Sequence, residues 1–293
     1  MWFKNLQLFR IAKGVDLTGL DLALSWHPLV ECCGLERSRV GWVRAHYGYY
    51  AYQQSGQYLI AFGLDEKILP AAVVRQFAEA AIAKLESGGS RIGRKSRKQF
   101  YEQVEDELLP RAFSKRTTVY AWIDPVNGWL VVNSSGAAKA EAVVKLLGEA
   151  VPELSIKLPH TQLSPGAAMT GWLAGNEAPT GFTIDRDGEL RLPGEDRATV
   201  RYVHHALDGE DIGEHIASGK QATRLGLTWA DRVSFVLTEK LEIKRLQFLD
   251  ILKEQSEQAE DAEAMFQIEF SLMSGELTKL IADLVEALGG EVD

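Results

Sequence analysis

The chain has 293 residues, 46% of them apolar, with 26 glycines and 9 prolines, enough to bury one large core or two moderate ones and too apolar for global disorder. Its net charge is -9, but the acidity is segregated: Asp250 to Asp293 holds 12 acidic residues against 2 basic, and the first 249 residues hold 29 against 30. Binding follows the field at the contact face rather than the whole-chain sum, so an anionic ligand is not excluded.

Further exclusions come from local composition. Lys4, Asn5, Gln7 and Arg10 interrupt the apolar residues of the first ten, which is not the pattern of a signal peptide. No apolar run approaches the roughly 20 residues that span a bilayer. The only cysteines, Cys32 and Cys33, are adjacent and cannot staple distant segments, so a reducing compartment is expected, with no membrane association.

Phe3 to Ile11 reads as a strand, followed by strand candidates at Val40–Val43 and Gln57–Phe62. From Ala71 the period changes: Val74, Phe77, Ala78, Ala81, Ile82 and Leu85 recur at helical spacing until Gly88-Gly89. The run Ser90 to Lys98 then has five basic residues in nine and no acid. A second helix is expected after it, with Phe100, Tyr101, Val104 and Leu108 as its stripe and Pro110 at its end. Thr118–Asp124 and Trp129–Val132 flank Pro125-Val126-Asn127-Gly128 as a β-hairpin. Ala137–Leu147 reads as a helix.

Pro152 to Gly194 is rich in Pro, Gly, Thr and Asp and reads as loops between short elements. Strand character returns at Thr199–His204, a helix is expected over Ala206–Ala217, and Leu225–Trp229 with Val233–Leu237 reads as a hairpin. Lys244-Arg245-Leu246-Gln247-Phe248 faintly echoes Lys4-Asn5-Leu6-Gln7-Leu8. A terminal amphipathic helix carries Leu277, Leu280, Ile281, Leu284, Val285 and Leu288, its acids expected on a solvated face. The pattern predicts an α/β (mixed α+β) fold with antiparallel-rich sheets, packed helices and a projecting helical tip. Residues 1–80 and 117–205 would form a central region, 81–116 the tip, and 206–293 a C-terminal region.

Catalytic signatures are absent from the sequence. The histidines at 27, 46, 160, 204, 205 and 215 make no H-E-x-x-H pair, and no Cys-x-x-Cys supplies thiols. Gly213 to Lys220 ends in Gly-Lys, but Gln221 stands where a phosphate loop needs Ser or Thr. Ser134-Ser135-Gly136 lacks the nucleophile elbow. The expectation is no catalytic residue, no metal and no cofactor; a metal-dependent DNA enzyme is the remote alternative.

The basic run Arg91, Arg94, Lys95, Arg97 and Lys98, extended by Arg111, Lys115 and Arg116, is the strongest anomaly. At the tip of two antiparallel helices it could neutralise phosphates without reading bases, or simply be a solvated loop. No helix-turn-helix, zinc-finger or basic-zipper pattern accompanies it, and no aromatics interleave with it.

Spaced across the whole chain are Trp2-Phe3-Lys4-Asn5-Leu6, Glu66-Lys67-Ile68-Leu69-Pro70, Leu108-Leu109-Pro110-Arg111-Ala112-Phe113-Ser114, Trp122-Ile123-Asp124, Val126-Asn127-Gly128, His215-Ile216 with Gly219-Lys220, Lys244-Arg245-Leu246 and Gly275-Glu276-Leu277. This set resembles the recombination-associated protein RdgC family. The resemblance implies a ring-shaped homodimer around double-stranded DNA in the cytoplasm and nucleoid, binding with little sequence preference and restraining the RecA recombinase. It implies a ring-closing contact at Phe113, whose bland alternative is a core anchor. Arg91 and Lys98 match the family's basic tip, and Lys220 a further basic position, for phosphate contact or support of the ring. The competing expectation is a protein-interaction module acting directly on the recombinase.

Overall fold

The computed structural model describes residues 2–88, 92–195, 197–249 and 261–292. Among these are eleven strands: β1 (Leu6–Arg10), β2 (Ser38–Val43), β3 (Ala51–Gln54), β4 (Gln57–Lys67), β5 (Ser114–Asp124), β6 (Trp129–Asn133), β7 (Phe182–Arg191), β8 (Thr199–Tyr202), β9 (Gln221–Trp229), β10 (Val233–Thr238) and β11 (Ile243–Phe248). The α-helices are α1 (Leu20–Ser25), α2 (Ala71–Ser87), α3 (Arg94–Leu108), α4 (Ala137–Ala150), α5 (Pro165–Gly175), α6 (Glu210–Ala217) and α7 (Ala262–Ala287). The fold is mixed α+β, as expected.

All strands join one antiparallel sheet in the order β2-β4-β5-β6-β1-β11-β10-β9-β7-β8, with β3 beside β4. The first and last strands of the chain meet at its centre, where Leu6 is the register partner of Ile243. The two segments whose sequences echo one another therefore lie side by side, and the Leu246 N–H donates to the Lys4 carbonyl at 2.8 Å.

The two halves of the sheet are covered differently. In β4, β5 and β6 both sets of alternating side chains are buried: Leu59, Trp122 and Val131 enter one core, and Ile60, Ala121 and Leu130 the other. A strand covered on both faces reads as a continuous apolar run. The second core lies beneath α1 and α4, through Leu20, Leu24, Val143 and Leu147. Among the described residues, β9 to β11 are covered by helices on one face, beneath α5, α6 and α7. Val233, Phe235 and Leu237 point into that core, while Ser234 and Val236 between them are only partly covered.

Three expectations need correction. The stretch from 152 to 194 contains an eleven-residue helix and a ten-residue strand rather than only short elements between loops. Ser164 caps α5 by accepting from the Ala167 N–H, Pro165 occupies its first turn, and Asn176 closes it in the left-handed conformation (φ 49°). On α2, Val74, Ala78 and Ile82 are buried, but Phe77 and Leu85 are exposed, because α3 covers only one stripe of it. Acids of the C-terminal segment are not all solvated. Glu276 is buried beside Arg232 at 2.9 Å, Asp283 accepts from Trp229 Nε1 at 2.7 Å, and Glu269 accepts from Trp2 Nε1 at 3.0 Å. These carboxylates fasten α7 to the sheet.

Candidate nucleic-acid interface

Helices α2 and α3 form an antiparallel hairpin. Its pairs run in opposite directions along the two helices: Arg97 Nη2 donates to Glu86 Oε1 at 2.8 Å, and Tyr101 Oη to Glu79 Oε1 at 3.3 Å. Val74, Ala78 and Val104 make a small core between them. The described residues on either side of its connection, 83–88 and 93–99, are exposed.

The basic run was expected to be the connection itself. From Arg94 onward it is instead the first two turns of α3, where Arg94, Lys95, Arg97 and Lys98 are all exposed. Arg91 lies outside the described residues. Lys98 pairs with Glu102 at 3.3 Å, but that pair is largely solvated and weak. No acidic residue sits in the first turn of α3. The helix N-terminus already carries partial positive charge, so each cation there costs a few tenths to about 1 kcal/mol. An anion with several oxygens relieves both the dipole and the cations.

Lys115 and Arg116, although exposed, do not join this cluster. They begin β5, opposite Glu66 and Asp65 on β4, at the far end of α3. Fifteen helical residues at about 1.5 Å each put roughly 20 Å between the two groups. Lys220 is elsewhere again, just before β9, with its Nζ 3.1 Å from His215 Nδ1 and 3.2 Å from Ser218 Oγ. Phe113 is 86% exposed, which rules out the core-anchor reading; its carbonyl accepts from the Ile68 N–H at 2.7 Å.

Comparison with known proteins fixes the family. The family described as "Putative exonuclease, RdgC" matches residues 1–291. The chain belongs to the RdgC family. Relatives named recombination-associated protein RdgC include those of Dechloromonas aromatica (48% identical over 300 residues), Janthinobacterium sp. strain Marseille (47% over 298) and Laribacter hongkongensis (47% over 301). Each comparison covers 100% of this chain and at least 99% of the relative. A role in recombination fits this RdgC-family membership.

This RdgC-family chain also carries a charged surface that sequence reasoning missed: the face of β7 to β11 that none of the described helices covers. On it Glu189 is the register partner of both Arg201 on β8 and Arg224 on β9. Arg191 pairs with Glu189 at 2.9 Å, Lys244 with Glu242 at 3.0 Å, and Arg245 with Asp187 at 3.1 Å. Burial pushes the Glu189 carboxyl up, but hydrogen bonds from Thr223 and Arg191 and the nearby Arg224 outweigh it and hold the group below its ordinary value. Glu242 behaves likewise: burial raises it, and Gln7 and Lys244 hold it low. The available signal was the one-sided alternation of Val233–Thr238 and Ile243–Phe248, which leaves a polar face to be filled.

Among the described residues, no group of three or more His, Cys, Asp or Glu side chains could hold a metal ion, and no helix is long and apolar enough to cross a membrane.

Proposed function

We propose that this chain binds duplex DNA without sequence preference, as a homodimer closed around it, and modulates recombination by restricting the access of the RecA recombinase to DNA. The observation that carries this reading is the four exposed cations crowded onto the positive end of α3, uncompensated by any acid in its first turn. Phosphate contact by such side chains positions a protein without reading bases. Family membership supplies the recombination context.

Phe113 serves as the ring-closing contact in this reading. An aromatic side chain 86% exposed fits burial against its two-fold mate, since a closed dimer places the same patch on both subunits. Two copies would set two α2–α3 tips around one duplex. Lys220 supports the ring or touches phosphate from the opposite half of the sheet.

Replacing Arg94, Lys95, Arg97 and Lys98 together by serine tests the reading. Loss of duplex binding together with loss of recombinase restraint supports it. Loss of DNA binding with restraint intact favours direct action on the recombinase instead. The family description favours a second reading, DNA degradation. Metal-dependent conversion of end-labelled DNA into shorter products, abolished on changing a defined carboxylate set, would establish that reading in place of simple binding.

A further inference from the structure

We propose that His215 gates Lys220 with a proton. While its imidazole is neutral it holds the lysine against the end of α6, and once protonated it releases the lysine as a phosphate contact. This rests on the DNA-binding reading above, in which Lys220 touches phosphate, and adds what controls that contact.

The backbone fixes the pair. Helix α6 closes in a Schellman turn: the Lys220 N–H donates to the His215 carbonyl at 3.1 Å, and the Gly219 N–H to the Ile216 carbonyl at 2.9 Å. Gly219 makes the reversal in the left-handed conformation, φ 90°. The turn carries the Lys220 side chain back over the helix end. There its Nζ stands 3.1 Å from His215 Nδ1 and 3.2 Å from Ser218 Oγ, and both residues of the pair are half-buried.

An ammonium donates and never accepts, so in this contact Nδ1 is the acceptor and the ring is neutral, with its proton on Nε2. A protonated imidazole donates from both nitrogens. Protonation therefore removes the hydrogen bond and sets two cations side by side. His215 lies in the last turn of α6, where the helix carbonyls favour positive charge. Lys220 sits beyond the helix end on a longer side chain, so the lysine is the partner that leaves.

No other charge competes for the imidazole. From β8, the Tyr202 ring is 6.5 Å from that of His215, and its phenol is pushed up to about 12 by burial, by its hydrogen bond to Asp211 and by that carboxylate's charge. His205 Nδ1 contacts the Ala206 carbonyl at 2.7 Å. His204, Glu210 and Glu214 are exposed, none of them pairs with His215 among the described residues, and α5, packed against α6, carries no charged side chain. While the ring is neutral, a phosphate must compete with His215 and Ser218 for the ammonium protons. After protonation the first competitor is gone and a second cation adjoins the lysine, so phosphate binding and proton uptake reinforce each other.

Duplex binding by the full chain at about pH 8 and about pH 6, the range in which imidazoles change charge, tests the gate in the wild type, His215→Gln and Lys220→Ser. A glutamine amide oxygen still accepts from the ammonium but takes up no proton. The wild type and His215→Gln are expected to bind alike at the higher pH. On the acid side the wild type is expected to gain at least about fivefold more affinity than His215→Gln. Its slope of log affinity against log salt should steepen there by about 0.9, for one further phosphate neutralised. Lys220→Ser should gain less than the wild type. If the wild type and His215→Gln share one pH profile, the gate is refuted and the DNA-binding reading survives. If His215→Gln is already weak at the higher pH, His215 serves the fold and the gate is refuted. A full wild-type gain in Lys220→Ser refutes it as well, because the proton then acts elsewhere. If the wild type does not bind duplex DNA at either pH, both readings fall together.

Discussion

Leu6 and Ile243, 237 positions apart in the chain, are register partners at the centre of the sheet, and both are fully buried. This pair joins the doubly covered half of the sheet to the half with one bare face. Leu6 also packs in the core that runs under α5, α6 and α7.

Removing that side chain disturbs both halves at once. Leu6→Ala is expected to cost about 2–5 kcal/mol, the range for emptying a packed leucine site. Denaturant unfolding followed by tryptophan fluorescence checks this. A change below about 1 kcal/mol would mean that the junction is not tightly packed.

Phe113 should behave in the opposite way. Because its ring is 86% exposed, Phe113→Ser is expected to leave protomer stability within about 0.5 kcal/mol while weakening dimerisation. Mass measurement of the free protein, with thermal melting alongside, separates the two effects. A dimer that persists unchanged would remove Phe113 from the ring-closing role.

The tip ion pair is a third case. The Arg97 and Glu86 side chains are 45% and 39% exposed, so their 2.8 Å pairing contributes no more than about 1 kcal/mol. Arg97→Ser should therefore melt close to the wild type yet bind duplex DNA less tightly. A large drop in melting temperature would show instead that the arginine chiefly holds the hairpin together.

Glu242 predicts a pH dependence. Gln7 Nε2 donates to its Oε1 at 2.9 Å, tying β11's entry to β1, and the carboxyl is held below its ordinary value. A carboxylate with a depressed folded pKa adds stability that is present above its unfolded value, about 4.3, and is lost as pH falls through the folded value. Unfolding free energy measured between about pH 7 and pH 3 should therefore decline on the acid side, and Glu242→Gln should flatten part of that decline. An unchanged profile in the variant would mean that Glu242 does not contribute to the acid sensitivity.

The elements legible in the sequence were those whose burial follows one simple period. Thr118–Asp124 with Trp129–Val132, and Leu225–Trp229 with Val233–Leu237, are strand pairs in the structure, because turn residues separate runs of β-prone side chains. Strand β7 was hidden because Asp185, Arg186, Asp187 and Glu189 interrupt its apolar residues, so that the stretch resembles a loop. Helix α5 was hidden because its glycines and alanines give it no marked apolar face. The tip cations stood out as a run in the chain, whereas Arg201, Arg224 and Arg245 are scattered in sequence and meet only through sheet pairing.

Duplex binding as a function of salt, on several unrelated sequences, bears most directly on a backbone grip by this acidic chain. Near-equal affinities that fall linearly on a log–log plot are predicted, since neutralised phosphates release counterions whatever the base sequence. Strong preference for one sequence, or no binding even at low salt, would contradict it.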